Sequence, residues 1–350
     1  MSILLTLVAA CSPVAGDQPA LPGSGDPVRE QFSLESADEY LAKASRGWQE
    51  TNSCVSCHTN GLYLVSGAME PAGEPWRDAR TFALEYLDRY ITDGVTPVGQ
   101  YGAVEGMVAT ACFLAMGDSI RYGTFKDDTR AALDHVLSLQ DEAGHWPDWL
   151  ACNWPPYESD THFGVTLMAV TLGRAPGEYR KQAHVATAQR RLVTWLQANP
   201  PGTLHQKGMM LWADAENGLE LQSQEREQWI SEIRSTQRED GGWCMASLGT
   251  WPRHDGSPQL EESEAYPTAF CLWVLSRCGV GNDDPDTRKA VSWLQANQRN
   301  SGRWFSRSQR RDTRHYLSNA ATNMATMALR ASARAPSRSD QPAKTGQSAD

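Results

Sequence analysis

The sequence predicts an all-α fold, a toroid of six helical hairpins, and three observations carry that prediction. The first is a turn that recurs after a charged helical segment. Gln140, Gly144 and Trp146 form it in QDEAGHW, Gln237, Gly241 and Trp243 in QREDGGW, and Gln298, Gly302 and Trp304 in QRNSGRW. A fourth start, WLQAN at Trp195 to Asn199, repeats Trp293 to Asn297 and then breaks at Pro200. Self-similarity of this kind marks an array of one supersecondary unit. The second observation is alternation. Charged amphipathic segments alternate with segments of small apolar residues, of which THFGVTLMAVTL (Thr161 to Leu172) is the purest. A helix apolar on all sides is buried on all sides, so the apolar set forms an inner ring and the charged set an outer one. Third, neither end of the array carries the polar capping repeat that an open solenoid requires, which favours a closed ring.

The six pairs follow from the helical periodicity and its stop signals. The first outer helix is expected over Ala37 to Gln49 behind a Ser36 cap, and its inner partner over Gly61 to Met69. The second pair spans Trp76 to Thr92 and Val104 to Met116, the third Asp128 to Gln140 and Thr161 to Leu172. The fourth spans Lys181 to Ala198 and Gln206 to Ala215, the fifth Ser223 to Thr236 and Ala265 to Arg277. The sixth spans Pro285 to Ala296 and Arg314 to Leu329. Each residue of the recurring turn has a physical role. The Gln amide serves backbone groups left unpaired at a helix end. The Gly admits a tight turn of positive φ, and the Trp buries a large apolar surface over the junction.

Lys289 to Trp304 spells K-x3-W-L-x3-Q-x3-G-x-W, with Ala290 where a Gly is usual. It resembles the QW repeat of squalene–hopene and oxidosqualene cyclases and, more loosely, of protein prenyltransferase β-subunits. The resemblance spans roughly residues 36–331. It implies one α/α barrel and a central cavity suited to an isoprenoid-like ligand. The mouth loops Trp146 to Asp160 and Trp243 to Glu264 would line that cavity. The family's cyclases place a strong buried acid in D-x-D-D-T before an inner helix. Tyr157-Glu158-Ser159-Asp160-Thr161 matches it in part. Asp160 and Glu158 are therefore the candidate catalytic carboxylates, although Ser159 stands where the proton donor belongs. Helix capping is the plainer role for Asp160, and the same reading fits Asp127-Asp128-Thr129 before an outer helix. The family's cyclases carry two barrels, so one barrel and a missing acid both argue against cyclase activity. Nor does any motif match the prenyltransferase zinc site.

Cys54-Val55-Ser56-Cys57-His58 is a second signal, the C-x-x-C-H motif of c-type haem attachment. Cys54 and Cys57 would carry the covalent haem and His58 would be the iron ligand. A Cys54–Cys57 disulfide and a zinc site are the alternatives. Met69 is a candidate sixth ligand, and the basic run Arg307 to Arg314 is a solvated loop or a holder of haem propionates. Cys112, Cys271 and Cys278 fall in apolar helices as buried residues, while Cys152 and Cys244, in the mouth loops, could bridge. His162 is read as a core histidine, and Glu105, Glu262 and Glu264 as acids suited to inner-helix N-termini.

The ends complete the reading. Residues 1–11 resemble a truncated export signal with a lipobox at Val8-Ala9-Ala10-Cys11, so Cys11 is the expected lipidation site, with a plain secretory signal as the alternative. Residues 12–34 read as a flexible Pro/Gly tether, 35–331 as the toroid and 332–350 as a polar tail. Of 350 residues, 42 are acidic and 32 basic, and the charge of −10 excludes a nucleic-acid partner. No nucleotide-binding motif is present. The expectation is a bacterial cell-envelope protein facing the periplasm, held to the membrane by a lipid anchor. It would carry haem c and bind a hydrophobic small molecule or a redox partner protein. The alternatives are a cyclase-like isomerase and an interaction scaffold.

Overall fold

The computed structural model describes residues 25–70, 73–92, 103–147, 149, 155–156 and 160–334. These form an all-α ring. The outer helices are α1 (Leu34–Asn52), α3 (Glu74–Ile91), α5 (Asp127–Ser138), α7 and α8 (Gly177–Arg180 and Ala183–Ala198), α10 (Ser223–Ser235) and α13 (Pro285–Ala296). Their inner partners are α2 (Leu62–Ser66), α4 (Ala103–Tyr122), α6 (Thr161–Gly173), α9 (Leu204–Ala215), α12 (Ala265–Arg277) and α14 (Leu317–Arg334). A π-helical turn, Cys57–Gly61, precedes α2. A short helix that the periodicity does not signal, α11 (Met245–Leu248), sits in the fifth mouth loop.

Each inner helix touches the next, and α14 returns to α2, so the inner ring is closed. Burial follows the sequence pattern. Every residue of α6 after Thr161 is buried, as are Ala265 to Leu275 of α12, whereas α10 buries Trp229 and Ile233 against solvated charges.

The recurring turns lock neighbouring repeats by one geometry. The Gln140, Gln237 and Gln298 amides each donate to the carbonyl of the Gly four residues on, at 3.1, 2.9 and 2.8 Å. Each amide also donates to the next outer helix or its cap, at the carbonyls of Ala188, Asp286 and Ser33. Gly144, Gly241 and Gly302 hold φ of +98°, +92° and +93°. A Cβ on them would come 2.2, 2.7 and 2.0 Å from the carbonyl oxygens of Arg191, Lys289 and Ser36, so glycine is required twice over. Trp146, Trp243 and Trp304 are fully buried. Their indole N–H groups donate to the carbonyls of Val136, Ile233 and Leu294, each the third residue from its helix end, where the carbonyl otherwise takes the C-cap N–H. Gln298 and Gly302 make this contact with the start of α1, and so join the sixth repeat to the first.

Four local expectations change. Ser33, not Ser36, caps α1, its hydroxyl accepting from the Ser36 N–H at 3.1 Å. Lys126 holds the N-cap of α5, which puts Asp127 and Asp128 in its first turn. Asp128 there pairs with Arg80, itself forked onto the fully buried Asp118. Residues 26–33, assigned to the tether, are bonded to the ring. Val28 bridges Arg299, the Arg29 N–H donates to the Gln298 carbonyl at 2.8 Å, and Ser33 N–H donates to the Gln298 side chain at 2.8 Å. Residues 26–33 are thus a strap across the closing seam. Finally, α4 and α14 run six and five residues beyond their expected ends. Among the described residues no helix is long and apolar enough to cross a membrane.

Candidate functional site

The inner helices all begin at one end of the ring, and their first turns gather the chemistry-bearing side chains there. His58, His162, His205 and Tyr316 stand at the heads of the first, third, fourth and sixth inner helices, and Glu264 at the head of the fifth.

In the first repeat the C-x-x-C-H turn is held by its own backbone and by Asn60. The Asn60 side chain accepts from Ser56 N–H at 2.8 Å and donates to the Cys54 carbonyl at 3.0 Å. Gly61 N–H closes onto the Ser56 carbonyl at 2.9 Å, and a Cβ on Gly61 would meet that oxygen at 2.8 Å. Cys54 and Cys57 are both buried, and burial pushes the Cys54 thiol above its ordinary pKa. His58 is 4 % exposed, and burial pushes its imidazole down to about 3, so it is neutral at physiological pH. Its ring stacks on Tyr316, centroids 5.0 Å apart and planes 2° from parallel, and meets Trp48 edge-on at 4.9 Å. Nδ1 lies 2.7 Å from Thr59 Oγ1, which leaves Nε2 as the nitrogen for an outside ligand. Two thiols and an imidazole bound at Nδ1 are the donor set that covalent haem requires. Among the described residues no three His, Cys, Asp or Glu side chains converge on a metal-ion position. Met69 ends the helical run that starts at Cys57 and packs against the core. At about 1.5 Å per residue it lies roughly 16 Å from His58, at the far end of the first inner helix.

The third to fifth repeats form a second cluster. His205 Nε2 and the Tyr266 hydroxyl are 2.9 Å apart, with Phe270 stacked on His205 at 4.5 Å. Burial, the larger influence, and the nearby His162 hold His205 down to about 3. Neither ring nitrogen of His162 has a hydrogen-bond partner among the described residues, and burial holds this imidazole below its ordinary value too. The six-membered ring of Trp149 abuts Gly164, where a Cβ would come 2.3 Å from its Cη2. Asp160 caps α6. One carboxylate oxygen accepts from Phe163 N–H at 2.9 Å, and the other accepts from the Gln206 amide at 3.0 Å.

Glu264 is the carboxyl that sequence reasoning underrated. It occupies the N-cap of α12 without capping it. One oxygen accepts from the Arg307 backbone N–H at 2.9 Å, and the other is buried without a partner among the described residues. Burial pushes its pKa up to about 7, against the opposing Arg307 N–H bond and the Arg307 and Arg253 charges. The basic run is no freely solvated loop at this point. Arg307 forks onto Asp312, and buried Arg253 pairs with Asp312 at 3.0 Å while donating to the Ser308 carbonyl at 2.8 Å. Cys112 and Cys271 are buried as expected, and Cys278 ends α12 partly buried. Cys11, Glu158 and Cys152 lie outside the described residues.

An α/α toroid with its polar side chains gathered at the inner-helix heads is the class that fold and site define. Solved structures bear the fold out. Type II terpene cyclase MstE from Scytonema, in complex with geranylgeranyl dihydroxybenzoate, matches 85 % of this chain and 96 % of its own, at 14 % identity and a TM-score of 0.52. A glycosidase matches 87 % of this chain and 98 % of its own, at 10 % identity and a TM-score of 0.51. No protein-family model matches the sequence, and no curated protein does. The cyclase match spans nearly the whole of that chain, so the shared fold is a single ring.

Proposed function

We propose that this chain is a cell-envelope toroid that binds a hydrophobic, isoprenoid-like ligand at the inner-helix heads and carries haem c on its first repeat. Cys54 and Cys57 would hold the haem by thioether bonds, His58 would ligate its iron, and the group would supply one-electron transfer. The lipobox at Cys11 puts the chain in the compartment where haem c is attached, and ties it to the membrane in which isoprenoid-like molecules dissolve. The observation that carries the reading is the His58 turn, where two thiols and a neutral, buried imidazole share five residues with Nδ1 already engaged. The test is expression with a periplasmic haem c maturation system, followed by the reduced absorption spectrum of the denatured protein. A covalent haem band that disappears in the Cys54→Ala, Cys57→Ala double variant supports the reading. A wild-type protein without the band overturns it.

Glu264 favours a second reading, acid chemistry on the same ligand. A carboxyl half-protonated near pH 7, with one buried oxygen that has no partner among the described residues, can serve as a proton donor, whereas both Asp160 oxygens accept hydrogen bonds that cap α6 and hold Gln206. Conversion of an isoprenoid alkene, lost in Glu264→Gln and kept in Asp160→Asn, would mark this reading.

A further inference from the structure

We propose that Thr59 and Asn319, with Tyr316, are positioning residues for His58, so that the last helix of the ring sets the electronic character of a ligand in the first. The inference rests on haem attachment at Cys54 and Cys57. A neutral imidazole that gives Nε2 to iron must carry its proton on Nδ1. In that tautomer Nδ1–H would donate to Thr59 Oγ1, which lies 2.7 Å from Nδ1. The same oxygen receives the Asn319 amide at 3.0 Å across 260 residues of sequence. The Tyr40 hydroxyl donates to the Asn319 carbonyl oxygen at 2.8 Å, which fixes the amide with its NH2 toward Thr59. Asn319 takes one lone pair of Thr59 Oγ1 and the other is open to an Nδ1 proton, so with iron on Nε2 Thr59 would be the acceptor for His58. All three partners are buried: Thr59 is 3 % exposed, Asn319 2 % and His58 4 %. Water does not replace a lost partner at such a site. The parallel Tyr316 ring and the perpendicular Trp48 ring hold the imidazole plane.

An acceptor on Nδ1–H makes the imidazole a stronger electron donor and favours the ferric state. Thr59→Val keeps the side-chain shape and removes the acceptor. In matured protein the variant is expected to raise the ferrous-to-ferric equilibrium constant roughly tenfold, about 59 mV for one electron. Thr59→Ser returns the oxygen and the wild-type potential. A wild-type measurement guards against a misfolded variant. The His58 Nδ1 proton resonance is expected to be present and protected from solvent exchange. Covalent haem is assayed on the same samples. Wild-type protein lacking haem sinks the attachment reading and this proposal together. Haem present, with an unchanged potential in Thr59→Val or an unprotected Nδ1 proton in wild type, overturns the proposal alone.

Discussion

Two seams of the ring do the same mechanical job by different means. At the seam between the sixth repeat and the first, the Gln298 turn grips backbone: the Ser33 carbonyl, the Gly302 carbonyl and the close approach to Ser36. On the inner side of the same repeats, the His58 turn is gripped by side chains, namely Tyr316 on its face, Trp48 at its edge and Asn319 behind Thr59. A backbone grip is indifferent to the partner's side chains, so it can recur at three places with different residues around it. A side-chain grip is specific to one place. Scaffold seams repeat, then, and the seam that does not repeat is where this ring departs from scaffold work.

The comparison breaks most visibly at Trp304. Trp304→Ala removes a fully buried indole and the N–H bond to Leu294, and is expected to cost about 3–5 kcal/mol. Denaturant unfolding checks it, and a loss under 1 kcal/mol would mean that the seam does not hold the ring. Gly302→Ala comes next at about 3 kcal/mol, because a Cβ meets Ser36 at 2.0 Å and φ is +93°. The same change at Gly241, where the nearest atom is 2.7 Å away, should cost less. Equal losses at the two glycines would show that backbone strain, rather than the contact, sets the requirement. Gln298→Leu leaves the Ser33 N–H and carbonyl without their partner and is expected to cost about 2 kcal/mol.

What the sequence discloses follows from the same contrast. The six pairs were legible because burial on one side or two writes itself into composition, as α6 and α10 show. The Gln–Gly–Trp seam was legible because its residues lie within seven positions of one another. The strap at residues 26–33 was not, since its Pro, Gly and Asp residues read as a tether while its hydrogen bonds go to residues near 300. Nor was the Tyr316–His58 stack, because neither residue carries a local pattern naming the other. Glu264 looked like an ordinary helix-start acid. Its difference from Asp160 lies in what surrounds it: Asp160 meets two donors, and Glu264 meets one in a buried site. Composition carries no trace of that.

The smallest effect per step is in acid, and it separates the two kinds of buried group. His205 titrates near 6.5 in the unfolded chain and near 3 in the fold. Between those values the unfolded state binds more protons, so stability falls as pH drops, by about 1.4 kcal/mol per pH unit. Glu264 has the opposite sign. Its folded pKa of about 7 lies above its unfolded value of 4.5, so between them the folded state holds the extra proton and stability rises as pH drops. Glu264→Gln removes that opposing contribution. The variant's stability should therefore fall more steeply than wild type from pH 7 to 4.5, by about 1.4 kcal/mol per unit, and run parallel to it below 4.5. Urea unfolding at half-unit pH intervals gives both slopes. Parallel curves throughout would mean that Glu264 is ionised in the fold, and would take with them its candidacy as a proton donor.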